Sequence, residues 1–159
     1  MEYQVSIQSP LGFLVVQSDG NTIQEVAFSD IDIPEQKSCT LLNQCTHQLE
    51  EYFSGKRLSF DLPLSPDGTP FQQKVWTELQ KIPYGQTITY MDLAVRLGDP
   101  KCIRAAGTAN GRNPIAIIIP CHRVIGAGNK LTGYAGGLWR KKQLLELEIQ
   151  YNPSKQTLF

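Results

Sequence analysis

Thr89-Tyr90-Met91-Asp92-Leu93-Ala94-Val95-Arg96-Leu97-Gly98-Asp99-Pro100-Lys101-Cys102-Ile103-Arg104-Ala105-Ala106-Gly107-Thr108-Ala109 contains two short helices and the turn between them. Residues 90–97 predict a helix closed by Gly98, since glycine readily takes the left-handed conformation that follows a helix end. Asp99 is an N-cap and Pro100 suits the first helical position, so a second helix is predicted to run to about Ala109. Two short helices around a tight glycine-containing turn are the signature of a helix-turn-helix, although the same pattern also serves as a plain packing unit.

Downstream, Ile115 to Ile119 is an apolar run too short for a helix and reads as a buried strand ending at Pro120-Cys121-His122-Arg123. A glycine-rich loop (Gly126, Gly128, Gly133, Gly136, Gly137) then leads into a last helix at about Leu138 to Gln150. Upstream, a helix follows Pro70 with Phe71, Val75, Trp76 and Leu79 inward, and Pro83-Tyr84-Gly85 ends it. Residues 62–70 hold Pro63, Pro66, Pro70, Asp67 and Gly68, a composition that excludes regular structure and marks a boundary. Before it, Tyr3-Val5-Ile7, Phe13 to Val16 and Ile23 to Phe28 read as strands around two turns. A helix follows from about Ser38 to Ser54, with Leu41, Leu42, Cys45, Leu49, Tyr52 and Phe53 on one stripe. The expected fold is α+β: a small N-terminal β-sheet domain with a helix over 1–67, a mainly helical domain over 68–150, and a tail over 151–159.

The chain has 159 residues and a formal net charge of zero. That neutrality conceals an asymmetry. Residues 1–70 carry 3 basic and 10 acidic side chains, whereas 71–150 carry 11 basic and 5 acidic ones. Such a split fits a second half that meets a polyanion, or chance clustering on solvated faces. No apolar run approaches the roughly 20 residues of a membrane span, and the N-terminus has no leader pattern. A cytoplasmic, reducing location is therefore expected, with Cys39, Cys45, Cys102 and Cys121 as thiols.

Cys121 carries the candidate chemistry. A free thiol titrates near 8.5, and the adjacent His122 and Arg123 are the kinds of neighbour that favour the thiolate. Residues adjacent on an extended segment point to opposite faces, so a structural cysteine beside a surface histidine is the plainer reading of the spacing alone.

Ile119-Pro120-Cys121-His122-Arg123-Val124 resembles the active-site signature of the O6-alkylguanine-DNA alkyltransferases (methylated-DNA–protein-cysteine methyltransferases). The similarity extends through Gly68-Thr69-Pro70-Phe71-Gln72-Gln73-Lys74-Val75-Trp76, Ile82-Pro83-Tyr84-Gly85, Thr89-Tyr90, Arg104-Ala105-Ala106-Gly107 and Arg112-Asn113-Pro114. After the cysteine come Gly133-Tyr134, Gly136-Gly137-Leu138 and Leu144-Leu145-Glu146-Leu147-Glu148 at the family's spacing, so the match covers about residues 68–148. The resemblance implies a ribonuclease-H-like first domain and a winged-helix-like helix-turn-helix in the second.

It also implies roles. Cys121 is the nucleophile that accepts an alkyl group from O6 of guanine in DNA, irreversibly and once per molecule, with O4-alkylthymine as a further substrate left open. His122, through a bridging water, is the base, Glu148 orients it, Asn113 fixes the turn, and Tyr90 assists the departing guanine. Tyr90 packing at a helix start, Glu148 as a solvated charge and Asn113 as an ordinary turn residue are the plainer alternatives. Arg104 resembles the arginine that fills the space of a flipped nucleotide in double-stranded DNA bound through the minor groove. Ala105, Gly107, Thr108 and Asn110 are expected DNA contacts beside it. Lys101, Arg112, Lys130, Arg140, Lys141 and Lys142 are candidate phosphate contacts, and Arg123 either joins them or braces the two domains. Tyr90, Val124, Tyr134 and Ala135 are expected at the alkylguanine pocket. Small residues from Ala105 to Gly111 permit close approach either to a groove or to another helix.

No cofactor and no metal is implied: Cys39, Cys45 and His47 do not have a zinc spacing. A monomer that makes no membrane contact is expected. The tail Gln156-Thr157-Leu158-Phe159 resembles, one residue short, peptides that dock on bacterial sliding clamps, with a frayed terminus as the plainer reading. Competing functions are a non-transferring alkylguanine-binding protein, which typically has tryptophan in place of the cysteine, a helix-turn-helix regulator, and a cysteine hydrolase.

Overall fold

The computed structural model describes residues 2–34 and 36–152 and divides into two compact units. The first comprises residues up to Asp67 together with Pro114–Ile118, and the second comprises Gly68–Asn113 and the chain from Ile119 onward. The tail segment from Gln156 lies outside the described residues.

In the first unit, strands β1 (Tyr3–Ser9), β2 (Gly12–Ser18) and β3 (Ile23–Ser29) form an antiparallel meander in that order. The period-two pattern sets the register: Val5 pairs with Val16 and Val16 with Val26, while Ile7 pairs with Leu14 and Leu14 with Phe28. These rows share one face, because successive side chains of a strand alternate. Helix α1 (Thr40–Phe53) packs on the sheet and buries Leu42, Cys45, Leu49 and Tyr52, the stripe read from the sequence. It stops at Gly55, whose N–H returns to the Tyr52 carbonyl.

Ile115–Ile119 is not the strand expected. Ile115 makes a single parallel bridge to Val26, and residues 116–118 turn, with Ile117 at φ 72° and the Ile118 N–H on the Ala116 carbonyl. A β-branched residue in that region costs on the order of 1–3 kcal/mol. Ile117 is 1% exposed, so burial offsets the strain. An apolar run marks burial without specifying a ladder, and here the burial was legible while the backbone was not.

The second unit begins at a capped helix, α2 (Pro70–Leu79). Thr69 and Gln72 form a reciprocal capping box, and Pro70 takes the first turn. A Cβ on Gly68 would lie 2.4 Å from the Trp76 ring, so only glycine admits this close approach. Val75, Trp76 and Leu79 are buried, whereas Phe71, expected inward, is 37% exposed in the first turn. Helix α3 (Tyr90–Arg96) opens on a second capping box, Thr89 with Asp92. After Gly98, Asp99 caps a 3₁₀ turn (Pro100–Cys102) that runs into α4 (Ile103–Gly111), so the second helix of the pair is 3₁₀ in its first turn. α4 packs against both α2 and α3. The Trp76 indole N–H donates to the Ala109 carbonyl at 2.9 Å, and Lys74 Nζ holds the Leu97 carbonyl beyond the end of α3. Two-residue strands β4 (Ile88–Thr89) and β5 (Val124–Ile125) pair in parallel, a ladder too short to read from the sequence. Helix α5 (Leu138–Gln150) closes the described part of the unit.

Candidate active site

Glu148, 1% exposed on α5, organises the centre of the second unit. Its Oε2 lies 2.6 Å from His122 Nε2 and its Oε1 accepts Arg123 Nε at 2.8 Å. Arg123 Nη2 adds a bond to Oε2 at 3.1 Å, and the Gly85 N–H donates to Oε1 at 3.1 Å. Gly85 sits at φ 77° with Asn152 2.6 Å from where a Cβ would be, so both the turn and the contact require glycine. Arg123 Nη1 also holds the Ile82 carbonyl at 2.7 Å, and the guanidinium lies over the Tyr84 ring. Arg123 is therefore neither a phosphate contact nor a general ornament of the surface; it is the buried cation that balances Glu148.

Burial raises the Glu148 carboxyl, but His122 and Arg123 outweigh it and hold the group well below the usual carboxylate range. Burial in turn lowers His122, more than Glu148 raises it, so the imidazole is neutral at pH 7. With Nε2–H donating to the carboxylate, Nδ1 is left as the acceptor, and this buried atom has no hydrogen-bond partner among the described residues. A neutral imidazole whose tautomer is set by a carboxylate is the arrangement a general base needs.

Cys121, His122 and Arg123 form a buried 3₁₀ turn after Pro120. The Cys121 N–H folds back on the Ile119 carbonyl at 2.8 Å, and Asn113 Nδ2 donates to the same carbonyl at 2.7 Å. Asn113 thus holds the turn that leads into the cysteine. Burial pushes the Cys121 thiol up, against the opposing effects of a hydrogen bond with Asn113 and the Lys141 charge. The expectation that both His122 and Arg123 favour the thiolate is corrected: His122 is neutral and Arg123 is taken up by Glu148, so burial prevails and favours the thiol.

Tyr90, in the first turn of α3, donates its hydroxyl to the Thr132 carbonyl at 3.1 Å. Its ring lies 3.6 Å from where a Cβ on Gly107 would be, so α4 offers Tyr90 a flat contact. Lys141 Nζ donates to the same Thr132 carbonyl at 2.8 Å. Lys141 was expected at phosphates but is 0% exposed; Arg140, also expected there, is 8% exposed and donates to the Gly136 carbonyl. Burial lowers Lys141 to about 8, with Cys121 opposing. Lys141 is the site residue that the sequence reading missed. Its signal was its place with Leu144 and Glu148 on the buried stripe of α5.

Tyr134 is half-buried and Ala135 exposed in the loop before α5, while Val124 is fully buried in β5. Burial, reinforced by Cys121, drives the Tyr134 phenol far up. A cavity of about 250 Å³ borders Glu148 and is lined by Thr87, Ile125, Leu131, Leu145 and Ile149 among others; none of the expected pocket residues lines it. α4 is two-faced. Ala106 and Ala109 are buried in helix packing, while Arg104, Ala105, Thr108 and Gly111 are exposed, so the small residues serve packing on one side and leave the other open. Asn110 departs from the expected DNA-contact set: it is 2% exposed and turned toward Cys121.

Cys45 is buried in the first unit's core, where desolvation pushes its thiol up to about 12, and His47 is exposed beside Glu51. Among the described residues no group of three or more His, Cys, Asp or Glu side chains could hold a metal ion, and no helix is long and apolar enough to cross a membrane.

Residues 70–150 match the model of the 6-O-methylguanine DNA methyltransferase DNA-binding domain, and residues 3–66 match that of the ribonuclease-like domain of the same family. A methylated-DNA–protein-cysteine methyltransferase of Methanosarcina acetivorans is 47% identical over 152 residues, covering 92% of this chain and 97% of that protein. The constitutive methyltransferase of that name from Bacillus subtilis is 44% identical, covering 91% and 93%. The crystal structure of Mycobacterium tuberculosis O6-methylguanine methyltransferase superposes with a TM-score of 0.87 at 42% identity, covering 99% of this chain and 98% of that one. A structure of the Mycobacterium tuberculosis protein in complex with DNA gives 0.83 at 45% identity, covering 98% of each. With a cysteine-histidine-glutamate centre inside the matched region, the chain belongs to the 6-O-methylguanine DNA methyltransferase family.

Proposed function

We propose that this protein repairs DNA by moving an alkyl group from O6 of guanine to its own Cys121. The observation that supports this most directly is a buried Cys121 adjoining a neutral His122 whose Nε2 is 2.6 Å from Glu148. A thiol in that setting is stable at rest and can be deprotonated only when the base acts.

The Cys121 proton passes through a bridging water to His122 Nδ1, and the Glu148 carboxylate, held in place by Arg123, stabilises the positive charge that develops on the imidazole. The sulfur attacks the alkyl carbon in line, the C–O6 bond breaks, and its electron pair leaves with guanine. Tyr90 and Lys141 both donate to the Thr132 carbonyl, which supports a role for the two as donors to the departing base. Tyr90 exchanges that carbonyl for the base, and the proton held by His122 neutralises the guanine anion. The product is a thioether, which has no easy hydrolytic return to the thiol. One molecule therefore removes one alkyl group, and no cofactor takes part.

Double-stranded DNA is bound through the exposed face of α4 in the minor groove, with the target nucleotide rotated out of the stack. Arg104 fills the vacated space, Ala105, Gly107 and Thr108 allow close approach, and Lys101, Arg112, Lys130 and Lys142 meet phosphates. Tyr90, Tyr134, Ala135 and the Val124 backbone border the base.

Incubation with a duplex containing O6-methylguanine should add one methyl group to the intact mass, and peptide mapping should place it on Cys121. A stable mass, or a methyl group elsewhere, would overturn the assignment. Extrusion of a nucleotide costs a few kcal/mol, and about 1.4 kcal/mol is tenfold. Arg104→Ala should therefore lower the transfer rate from duplex DNA on the order of 10–100-fold while changing that from free O6-benzylguanine by less than about threefold. Equal losses on both substrates would refute the role given to Arg104.

A further inference from the structure

Asn110 occupies the buried side of α4, the side opposite the exposed Arg104 and Thr108. Its Nδ2 donates to the Cys121 carbonyl at 3.3 Å. Its Oδ1 is buried and has no hydrogen-bond partner among the described residues. An unsatisfied buried acceptor costs about 1–3 kcal/mol, which offsets what the one hydrogen bond to the Cys121 carbonyl contributes. Net stability therefore gives little reason for an asparagine here. What an apolar side chain could not supply is the donor to Cys121.

We propose that Asn110 is a positioning residue for alkyl transfer, setting the direction of the Cys121 sulfur from the buried face of α4. The inference rests on the alkyl-transfer reading above. The physical reason lies in the peptide unit. The Cys121 carbonyl and the His122 N–H belong to one planar group, so a bond to that carbonyl orients the nucleophile and its neighbouring base together. Asn113 grips the Ile119 carbonyl, and Asn110, three residues earlier, grips that of Cys121. Two amides from the end of one helix thus hold both sides of the turn that presents the sulfur. Displacement at carbon requires sulfur, carbon and leaving oxygen in line, and a misplacement of about 1 Å can cost about 100-fold. The helix that carries Arg104 on one face thereby aims the sulfur with the other.

The test compares wild type with Asn110→Leu and Asn110→Asp, the second retaining shape without the amide donor. For each, the single-turnover rate is measured by intact mass on duplex O6-methylguanine across DNA concentrations and on free O6-benzylguanine. Melting temperature and affinity for unmodified duplex are measured alongside. Asn110→Leu, which removes the donor to the Cys121 carbonyl, should in its folded fraction transfer about 10–100-fold more slowly at saturation on both substrates. The half-saturating DNA concentration and the affinity for unmodified duplex should stay within about twofold. If Asn110→Leu does not fold, Asn110→Asp should show the same loss of maximal rate on both substrates. A wild-type rate in either folded variant overturns the proposal. So does a loss confined to the duplex substrate or to affinity, which would make Asn110 a DNA contact. Failure of the wild type to take up any methyl group would instead sink the alkyl-transfer reading.

Discussion

Cys121→Ala should gain no mass from O6-methylguanine duplex under conditions in which the wild type is fully converted. Alanine has no atom that can accept an alkyl group, so no partial activity at this position is expected. Cys121→Ser should be nearly as silent: an alcohol has a far higher pKa than a thiol and is a much weaker nucleophile toward an alkyl carbon. Binding to methylated duplex should persist in Cys121→Ala, because Arg104, Ala105 and Thr108 on the exposed face of α4 are unaltered. Gel-shift affinity within about threefold of wild type, together with an unchanged intact mass, is the expected pair of results. Clearance of O6-methylguanine by Cys121→Ala would assign the acceptor elsewhere.

Glu148→Ala carries the second large effect, on stability and rate together. It strips Arg123 of its bidentate partner, His122 of its orienting carboxylate and the Gly85 N–H of its acceptor. Removing one member of a buried ion pair typically costs about 3–5 kcal/mol, which for a chain of this size lowers the melting temperature by about 6–20 °C. Among molecules still folded, transfer should fall by about 100-fold or more, because nothing then sets the His122 tautomer. A melting temperature within 2 °C of wild type, in this order-of-magnitude sense, would contradict the central place given to Glu148. Glu148→Gln should lie between the two on stability, since an amide can still accept from Arg123.

The same cluster governs the response to acid. His122 has its folded pKa below the unfolded value near 6.5, so the unfolded chain takes the proton first and stability falls as pH drops through that value. Glu148 also has a depressed folded pKa. Its contribution is present above the unfolded value near 4.3 and is lost as pH falls further toward the folded one. Each proton carries up to about 1.4 kcal/mol per pH unit, so chemical denaturation should show stability declining in two stages below about pH 6.5. In Glu148→Gln the lower stage should shrink. An acid profile identical to wild type would show that the carboxylate is not linked to folding.

Local pattern and motif carried much of this protein. The meander of β1 to β3 follows from period-two alternation around Pro10-Leu11-Gly12 and Asp19-Gly20-Asn21, and α1 from one apolar stripe. Thr69, Thr89 and Asp99 opened their helices where capping residues stood, since caps satisfy N–H groups within a few residues and need nothing distant. The family was legible too, through the order of short motifs from Gly68 to Glu148, and the family match bears out that recognition.

Other features depended on groups far apart in the chain. Ile115–Ile119 reads as a strand because apolarity reports burial, yet a turn at Ile117 was set by what surrounds it. Arg123 reads as an activator of its neighbour Cys121, but its guanidinium faces Glu148, 25 residues away. Lys141 reads as a surface cation and is wholly buried on the carbonyls of Thr132 and Gly133. The protonation state of Cys121 reverses for the same reason. Sequence alone determined the first three strands and most of the helices and singled out the Cys121 motif, because propensity, capping and motif act over a few residues. Only tertiary structure decided which charges pair, which are buried and whether the sulfur rests as a thiol, because desolvation and Coulomb interaction depend on distance in space.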